Sequence, residues 1–227
     1  GQRTALPERG GTVGGALAVG ENDLRSLGRG SVAVATLQVR YVSAEGQVVT
    51  GGGPVVKNVS GFNVPKLIVG SLGTLGLVAE VVLRTNPLPA VSRWYRSDRG
   101  DPFDAYAAVL APSAVLWDGT TTWLQLEGHG ADVEAQAAVL HELGGFDVGD
   151  PPPPGPSHRW SLSPARLRTM DQDTTGPFLA SVGVGTVWAE RPQPSRPLDP
   201  VAVEISARMK ELFDPDGRLN PGRIPGR

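Results

Sequence analysis

The 227-residue chain is punctuated by 30 glycines and 21 prolines. Proline interrupts the helical hydrogen-bond ladder, and glycine costs about 1 kcal/mol against alanine inside a helix. Such density excludes a helical bundle and calls for many turns and close backbone approaches. Two runs are especially dense: Gly10-Gly11-Thr12-Val13-Gly14-Gly15 and Gly70-Ser71-Leu72-Gly73-Thr74-Leu75-Gly76. Each carries hydroxyl residues, Thr12 in the first and Ser71 and Thr74 in the second. With no Cβ in the way, a glycine backbone can reach a flat or anionic ligand, and its N–H groups can point at phosphate or ring heteroatoms. The same runs also suit tight turns in a compact sheet. Residue types alone leave both readings open.

Composition narrows the classes. Hydrophobic residues make up 40% and charged residues 19%, a globular balance with room for one large domain or two small ones. A net charge of −2 supplies no basic field for nucleic acid or an acidic membrane. The absence of cysteine removes disulfides, thiolate metal sites and cysteine nucleophiles. His129, His141 and His158 are far apart, so no metal is expected. No run approaches the ~20 apolar residues of a membrane span, and the opening residues lack the pattern of a signal peptide. A cytoplasmic placement is therefore expected, with any membrane contact made through partners. The chain opens without methionine and is expected to begin inside a longer sequence. Phosphate-loop, Rossmann, nucleophile-elbow and H-E-x-x-H patterns are all missing.

Periodicity supplies the elements. Residues 34–43 alternate, with Ala35, Leu37, Val39 and Tyr41 on one face, which predicts a strand with one wet face. Residues 47–50 form the returning hairpin strand. Pro65 starts a short helix over 64–69, and residues 77–84 form a second clear strand closed by Asn86-Pro87-Leu88-Pro89. Beyond a boundary at residue 89, Asp101-Pro102 caps a helix with Phe103, Ala107 and Leu110 on its apolar face. Strands follow at 114–117 and 121–127, then a helix over 132–143 stopped by Gly144. A proline run at 151–156 is a spacer. Asp199-Pro200 caps a last helix with Val201, Ile205, Met209 and Leu212 in line and Glu204/Arg208 as an i,i+4 pair. Lys57-Asn58 could hold a carboxylate or cap the next helix, and the residue types favour capping. Arg84 could also hold a carboxylate, but it fits better as a surface or strand-edge charge, and Glu80 reads as a wet-face charge.

Three segments, in order, carry a resemblance. Gly1-Gln2-Arg3 leading to Gly11-Thr12-Val13-Gly14-Gly15-Ala16-Leu17-Ala18 is the first. The second is Val55-Val56-Lys57-Asn58-Val59-Ser60-Gly61-Phe62-Asn63 followed by the 70–76 run. The third is Phe213-Asp214-Pro215-Asp216-Gly217-Arg218-Leu219-Asn220-Pro221-Gly222-Arg223. Together they resemble the FAD-binding E-subunit family of glycolate oxidase. More broadly they resemble the vanillyl-alcohol-oxidase-type flavoproteins, whose FAD domain is of the p-cresol-methylhydroxylase (PCMH) kind. The resemblance implies an α+β chain: the second half of a PCMH-type FAD-binding domain over 1–89, then a shortened ferredoxin-like α+β cap domain over 90–227 with the C-terminal helix. It implies FAD as cofactor, bound by Thr12, Val13, Gly14, Gly15, Ser71, Gly73, Thr74 and Gly76, with Leu77 and Val78 beside the turn. Asn220 is a weaker candidate for the cofactor, because Asn220-Pro221-Gly222 also makes a good stop signal and structure takes the larger share.

The resemblance further implies oxidation of a small 2-hydroxy acid by hydride transfer to flavin N5. The expected partners are a second flavoprotein subunit and an iron–sulfur subunit. No catalytic acid or base is identified. Two departures stand out. The family's upstream glycine-rich pyrophosphate loop has no counterpart here, and Ala33 and Val34 stand where the family carries Arg and Asp. The histidine pair that binds metal in relatives acting on hydroxyglutarate or lactate is also missing. The missing upstream loop favours a rival class, a truncated flavoprotein module that acts only in complex assembly, whereas the intact 70–76 turn favours the flavin reading.

Overall fold

A computed structural model of the chain describes residues 1–8, 10–55, 62–170, 172–195 and 199–223. The Lys57-Asn58 pair lies outside the described residues. In chain order the elements are β1 (Gln2–Arg3), α1 (Val13–Val19), α2 (Ser26–Arg29), α3 (Val32–Ala35), β2 (Thr36–Val42), β3 (Val48–Gly52), α4 (Val64–Ile68), β4 (Leu77–Leu83), β5 (Asn86–Pro87) and β6 (Val91–Ser97). There follow α5 (Pro102–Ala108), β7 (Ala114–Trp117), β8 (Thr122–Gly128), α6 (Gly130–Gly144), β9 (Asp147–Val148) and β10 (His158–Ser161). A 3-10 turn (Pro164–Thr169), α7 (Gln172–Thr175), β11 (Phe178–Ser181), β12 (Thr186–Ala189) and α8 (Pro200–Phe213) complete the chain, which is α+β as expected.

Two compact units result. The first takes Gly1–Asp23, Gly30–Pro87 and Arg196–Arg227; the second takes Leu24–Arg29 and Leu88–Ser195. The grouping differs from a division into 1–89 and 90–227, because the last helix returns to the first unit. Its Phe213 packs against the cluster of Val39, Tyr41, Ile68 and Leu75 there. The proline-rich approach to α8 carries no periodicity that could announce this return.

In the first unit β2 pairs antiparallel with β3 on one side and with β4 on the other. Alternation along β2 sends Val39 and Tyr41 inward and Arg40 outward, where it meets Glu80 of β4 at 2.8 Å. Glu80 is therefore a wet-face charge. The strand starts later than residue 34. Ser31 accepts from the Val34 N–H and opens the short helix α3, so local capping overrides the β-branched run. Asn63 caps α4, whose Ile68 is fully buried, worth about 2 kcal/mol in lost water contact. Gln2–Arg3 pairs with Asn86–Pro87 in a two-stranded ribbon.

The second unit is a seven-stranded antiparallel sheet in the order β10-β12-β11-β7-β8-β6-β9. Alternation in β7 and β8 puts Val115, Leu124 and Leu126 in one cluster with Ala105 of α5 and Val133 and Leu140 of α6. Ala114, Leu116 and Trp123 join Leu179 and Trp188 in a second cluster. Asp101 caps α5 through the N–H groups of Phe103 and Asp104, at 2.8 and 2.9 Å. The expected α5 face is corrected: Ala105 is buried, whereas Leu110 lies beyond the helix end and is 82% exposed. Gly145, with φ +63, ends α6 in place of Gly144. Within this unit the Glu127 carboxylate accepts from Arg29, Ser113 and Ser92 at 2.7, 2.7 and 3.0 Å. Burial pushes its pKa up, but these donors and the Arg29 charge outweigh burial and hold it below the usual range.

Candidate functional site

Both glycine runs lie in the first unit, and the chain stitches them together. The Gly70 N–H donates to Leu17 O at 2.8 Å, and the Leu72 N–H donates to Ala18 O at 2.8 Å. The second bond satisfies a carbonyl at the C-terminal end of α1, while Leu17 O also accepts the Gly20 N–H at 3.0 Å. Leu17, 1% exposed, anchors the helix, and Gly20 closes it in the left-handed region at φ +67.

The first run is the N-terminal approach to α1. Thr12 is the cap, and its hydroxyl accepts the Gly15 N–H at 3.0 Å. Those two groups are therefore spent on each other. Thr12, Val13 and Gly15 are exposed and Gly14 is half-buried. A Cβ added at Gly10, Gly11 or Gly14 would meet nothing within 4 Å among the described residues.

The second run is built differently. The Thr74 hydroxyl is buried and donates to Ser71 O at 2.6 Å, while the Thr74 N–H donates to the same oxygen at 3.0 Å. A Cβ added at Gly76 would collide with the Tyr41 ring, so packing already requires glycine there. Burial, then the Glu45 carboxylate, push the Tyr41 phenol up. Val78 packs into the same cluster as Tyr41. Thr74, Gly76 and Val78 thus have internal partners that fix the turn. Gly73, Leu77 and the Ser71 side chain lack such internal partners. A Cβ added at Gly73, where φ is +71, would meet nothing within 4 Å, so the backbone there opens onto free space. Leu77 is 65% exposed. Ser71 is 7% exposed, and its buried hydroxyl has no hydrogen-bond partner among the described residues. A buried hydroxyl without a partner costs free energy, a state shared among the described residues by Gln125 Oε1, the Ser181 hydroxyl and Trp188 Nε1.

The C-terminal segment closes on the same turn. The Lys210 ammonium donates to Thr74 O at 3.0 Å, to Leu219 O at 2.7 Å and to the Asp214 carboxylate. Asp214 also accepts from the N–H groups of Arg218 and Leu219, at 2.7 and 2.8 Å. Burial works against its charge, but the bonds from Lys210, Leu219 and Arg218 and the Lys210 charge hold the carboxyl below its ordinary value. Asn220 donates from Nδ2 to Leu72 O at 2.6 Å. The sequence pattern did not single out Lys210. The signal available was its i,i+4 spacing to Asp214 at a helix end. Arg84 is exposed, so it remains a surface charge. Among the described residues no cluster of His, Asp or Glu could hold a metal, and no helix is long and apolar enough to cross a membrane.

Comparison with known proteins places this architecture. Residues 183–224 match the C-terminal domain of the FAD linked oxidases. The fold is similar to that of alkyldihydroxyacetonephosphate synthase, with a TM-score of 0.66 over 99% of this chain and 61% of that one, at 14% identity. The family match is to the FAD linked oxidases and is confined to residues 183–224. More narrowly, the chain is 30% identical over 143 residues to glycolate oxidase subunit GlcE of Escherichia coli (strain K12), covering 60% of this chain and 40% of that protein. It is 28% identical over 144 residues to glycolate oxidase subunit GlcD of Bacillus subtilis (strain 168), covering 59% of this chain and 31% of that protein. The chain is thus similar to glycolate oxidase subunits, and it matches less than half the length of these relatives.

Proposed function

We propose that the chain binds FAD on its first unit and serves as a subunit of an oxidoreductase acting on a small 2-hydroxy acid. The unpartnered Ser71 hydroxyl carries this reading. It lies in a turn whose Gly73 backbone is open to close approach and whose Leu77 side chain is free for a flat ring. A cofactor with ring heteroatoms and two phosphates offers the acceptors that such a turn lacks. Thr12, Val13, Gly14 and Gly15 line the same cofactor, while Thr74, Gly76 and Val78 shape the turn. When bound, FAD supplies the hydride-accepting chemistry, and the protein binds and orients it. The partners proposed are a second flavoprotein subunit and an iron–sulfur subunit. The proposed placement is cytoplasmic, with membrane contact only through those partners.

The test is colour and uptake. The purified chain, alone or after incubation with FAD and desalting, is expected to absorb near ~450 nm and to release flavin on denaturation. Ser71→Ala removes the unsatisfied group and adds no bulk. It is expected to leave the flavin-free protein as stable as before while weakening FAD retention. A colourless protein that takes up no added FAD overturns the reading and leaves the assembly-module alternative.

A further inference from the structure

We propose that Lys210, Asp214 and Asn220 are positioning residues, which hold the 70–76 turn in the shape that receives the cofactor. The inference rests on the flavin reading of that turn for its target, but the clamp itself is a property of the protein alone.

The donor count supports it. An ammonium has three N–H donors and no acceptor. Lys210 has three acceptors within reach, and each ties a different piece of chain: Thr74 O in the turn, Leu219 O in the tail and Asp214 at the end of α8. Lys210 is thereby saturated and leaves no donor for a substrate carboxylate. Asp214, 3% exposed, is saturated in turn by Lys210, the Arg218 N–H and the Leu219 N–H. The network turns the tail so that Asn220 reaches Leu72 O.

Leu72 shows why the turn needs holding. Its φ is +54, a left-handed conformation that a side chain with a Cβ disfavours. Asn220 itself sits at φ +44, a conformation asparagine tolerates better than most residues. Leu72 is fixed from both sides, by its N–H on Ala18 O and by its carbonyl on the Asn220 amide. Between Leu72 and Thr74 stands Gly73, the open position of the turn. Remove the tail, and the strained residue beside the open glycine is free to relax.

The experiment uses the full chain. Lys210→Met and Asn220→Ala are compared with the unchanged protein by far-UV circular dichroism, by amide hydrogen exchange without FAD, and by titration with FAD. In folded Lys210→Met, exchange at the Thr74 amide is expected to speed up about tenfold, with the sheet amides of β2 unchanged. The FAD dissociation constant is expected to rise about tenfold, and the visible spectrum of the bound flavin to shift. Unchanged exchange at Thr74 overturns the clamp. Faster exchange with unchanged FAD affinity and spectrum overturns the positioning role. If Lys210→Met does not fold, Asn220→Ala decides by the same readouts at Leu72 and Thr74. If the unchanged protein binds no FAD, the flavin reading fails and exchange alone decides the clamp.

Discussion

The two glycine runs share a residue type and a neighbourhood, yet their glycines are required for different reasons. In residues 10–15 nothing surrounds the positions a Cβ would take at Gly10, Gly11 and Gly14. That run ends in a capped seven-residue helix and is otherwise free. In residues 70–76 the backbone is wedged between Tyr41, the end of α1 and the C-terminal tail. Gly10 and Gly14 have room for a side chain unless a ligand comes, Gly11 is held to glycine by its φ of +136, and Gly76 by the Tyr41 ring. The difference separates a requirement of the fold from a requirement of binding, which sequence alone cannot do.

The sharpest break in the comparison is Gly76→Val. A branched side chain against the Tyr41 ring forces strand β4 away from β2, and a loss of about 3 kcal/mol or more is expected. Chemical denaturation would measure it, with or without FAD. A near-neutral result would mean that Tyr41 gives way easily, and that the second run is as tolerant as the first.

Much of this was legible in the sequence. Asp101-Pro102, Pro65 and Asp199-Pro200 mark their helix starts because these signals are local, whereas the cap of α4 is Asn63 and the Lys57-Asn58 pair lies outside the described residues. The hairpin of β2 and β3 follows from alternation around Ala44-Glu45-Gly46. What was hidden depends on partners far along the chain. Residues 91–97 and 158–189 supply strands only because the seven-stranded sheet gathers them. The spacing in α8 predicts an apolar line of Val201, Ile205, Met209 and Leu212. In the structure Met209 is half-buried, Val201, Ile205 and Leu212 are 61%, 56% and 74% exposed, and it is Phe213 and Lys210 that engage the rest of the first unit. In the candidate site, the glycine density pointed to both runs. The saturation of Lys210 and the unpartnered hydroxyl of Ser71 required coordinates, because each is a statement about neighbours distant in the chain or about their absence.

Acid separates the two runs by a second route. The second is held by a carboxylate, the first by the neutral Thr12 hydroxyl. The Asp214 pKa lies below its ordinary 3.8, so its stabilising contribution is complete above that value and is lost as pH falls through the lower folded pKa. After correction for intrinsic exchange, protection at Thr74 is expected to stay level from neutrality to about pH 4 and to fall below it. Protection at Gly15 should show no such step. In Asp214→Asn the step should vanish. A step that survives in that variant would assign it to another group.

Gly14→Ala is the smallest change and the most informative about the first run. Alanine is the better helix former, and the added methyl meets nothing within 4 Å. The flavin-free protein is therefore expected to gain about 0.5 kcal/mol, readable as a small rise in Tm. If the 10–15 backbone lies against FAD, the methyl occupies the space the cofactor needs, and FAD retention falls while stability rises. That opposite movement of two quantities under one methyl group is the expected outcome. A gain in stability with unchanged FAD binding would remove residues 12–15 from the site. The cofactor would then rest on Ser71, Gly73 and Leu77, and the openness of the first run would be only the fraying of an exposed helix start.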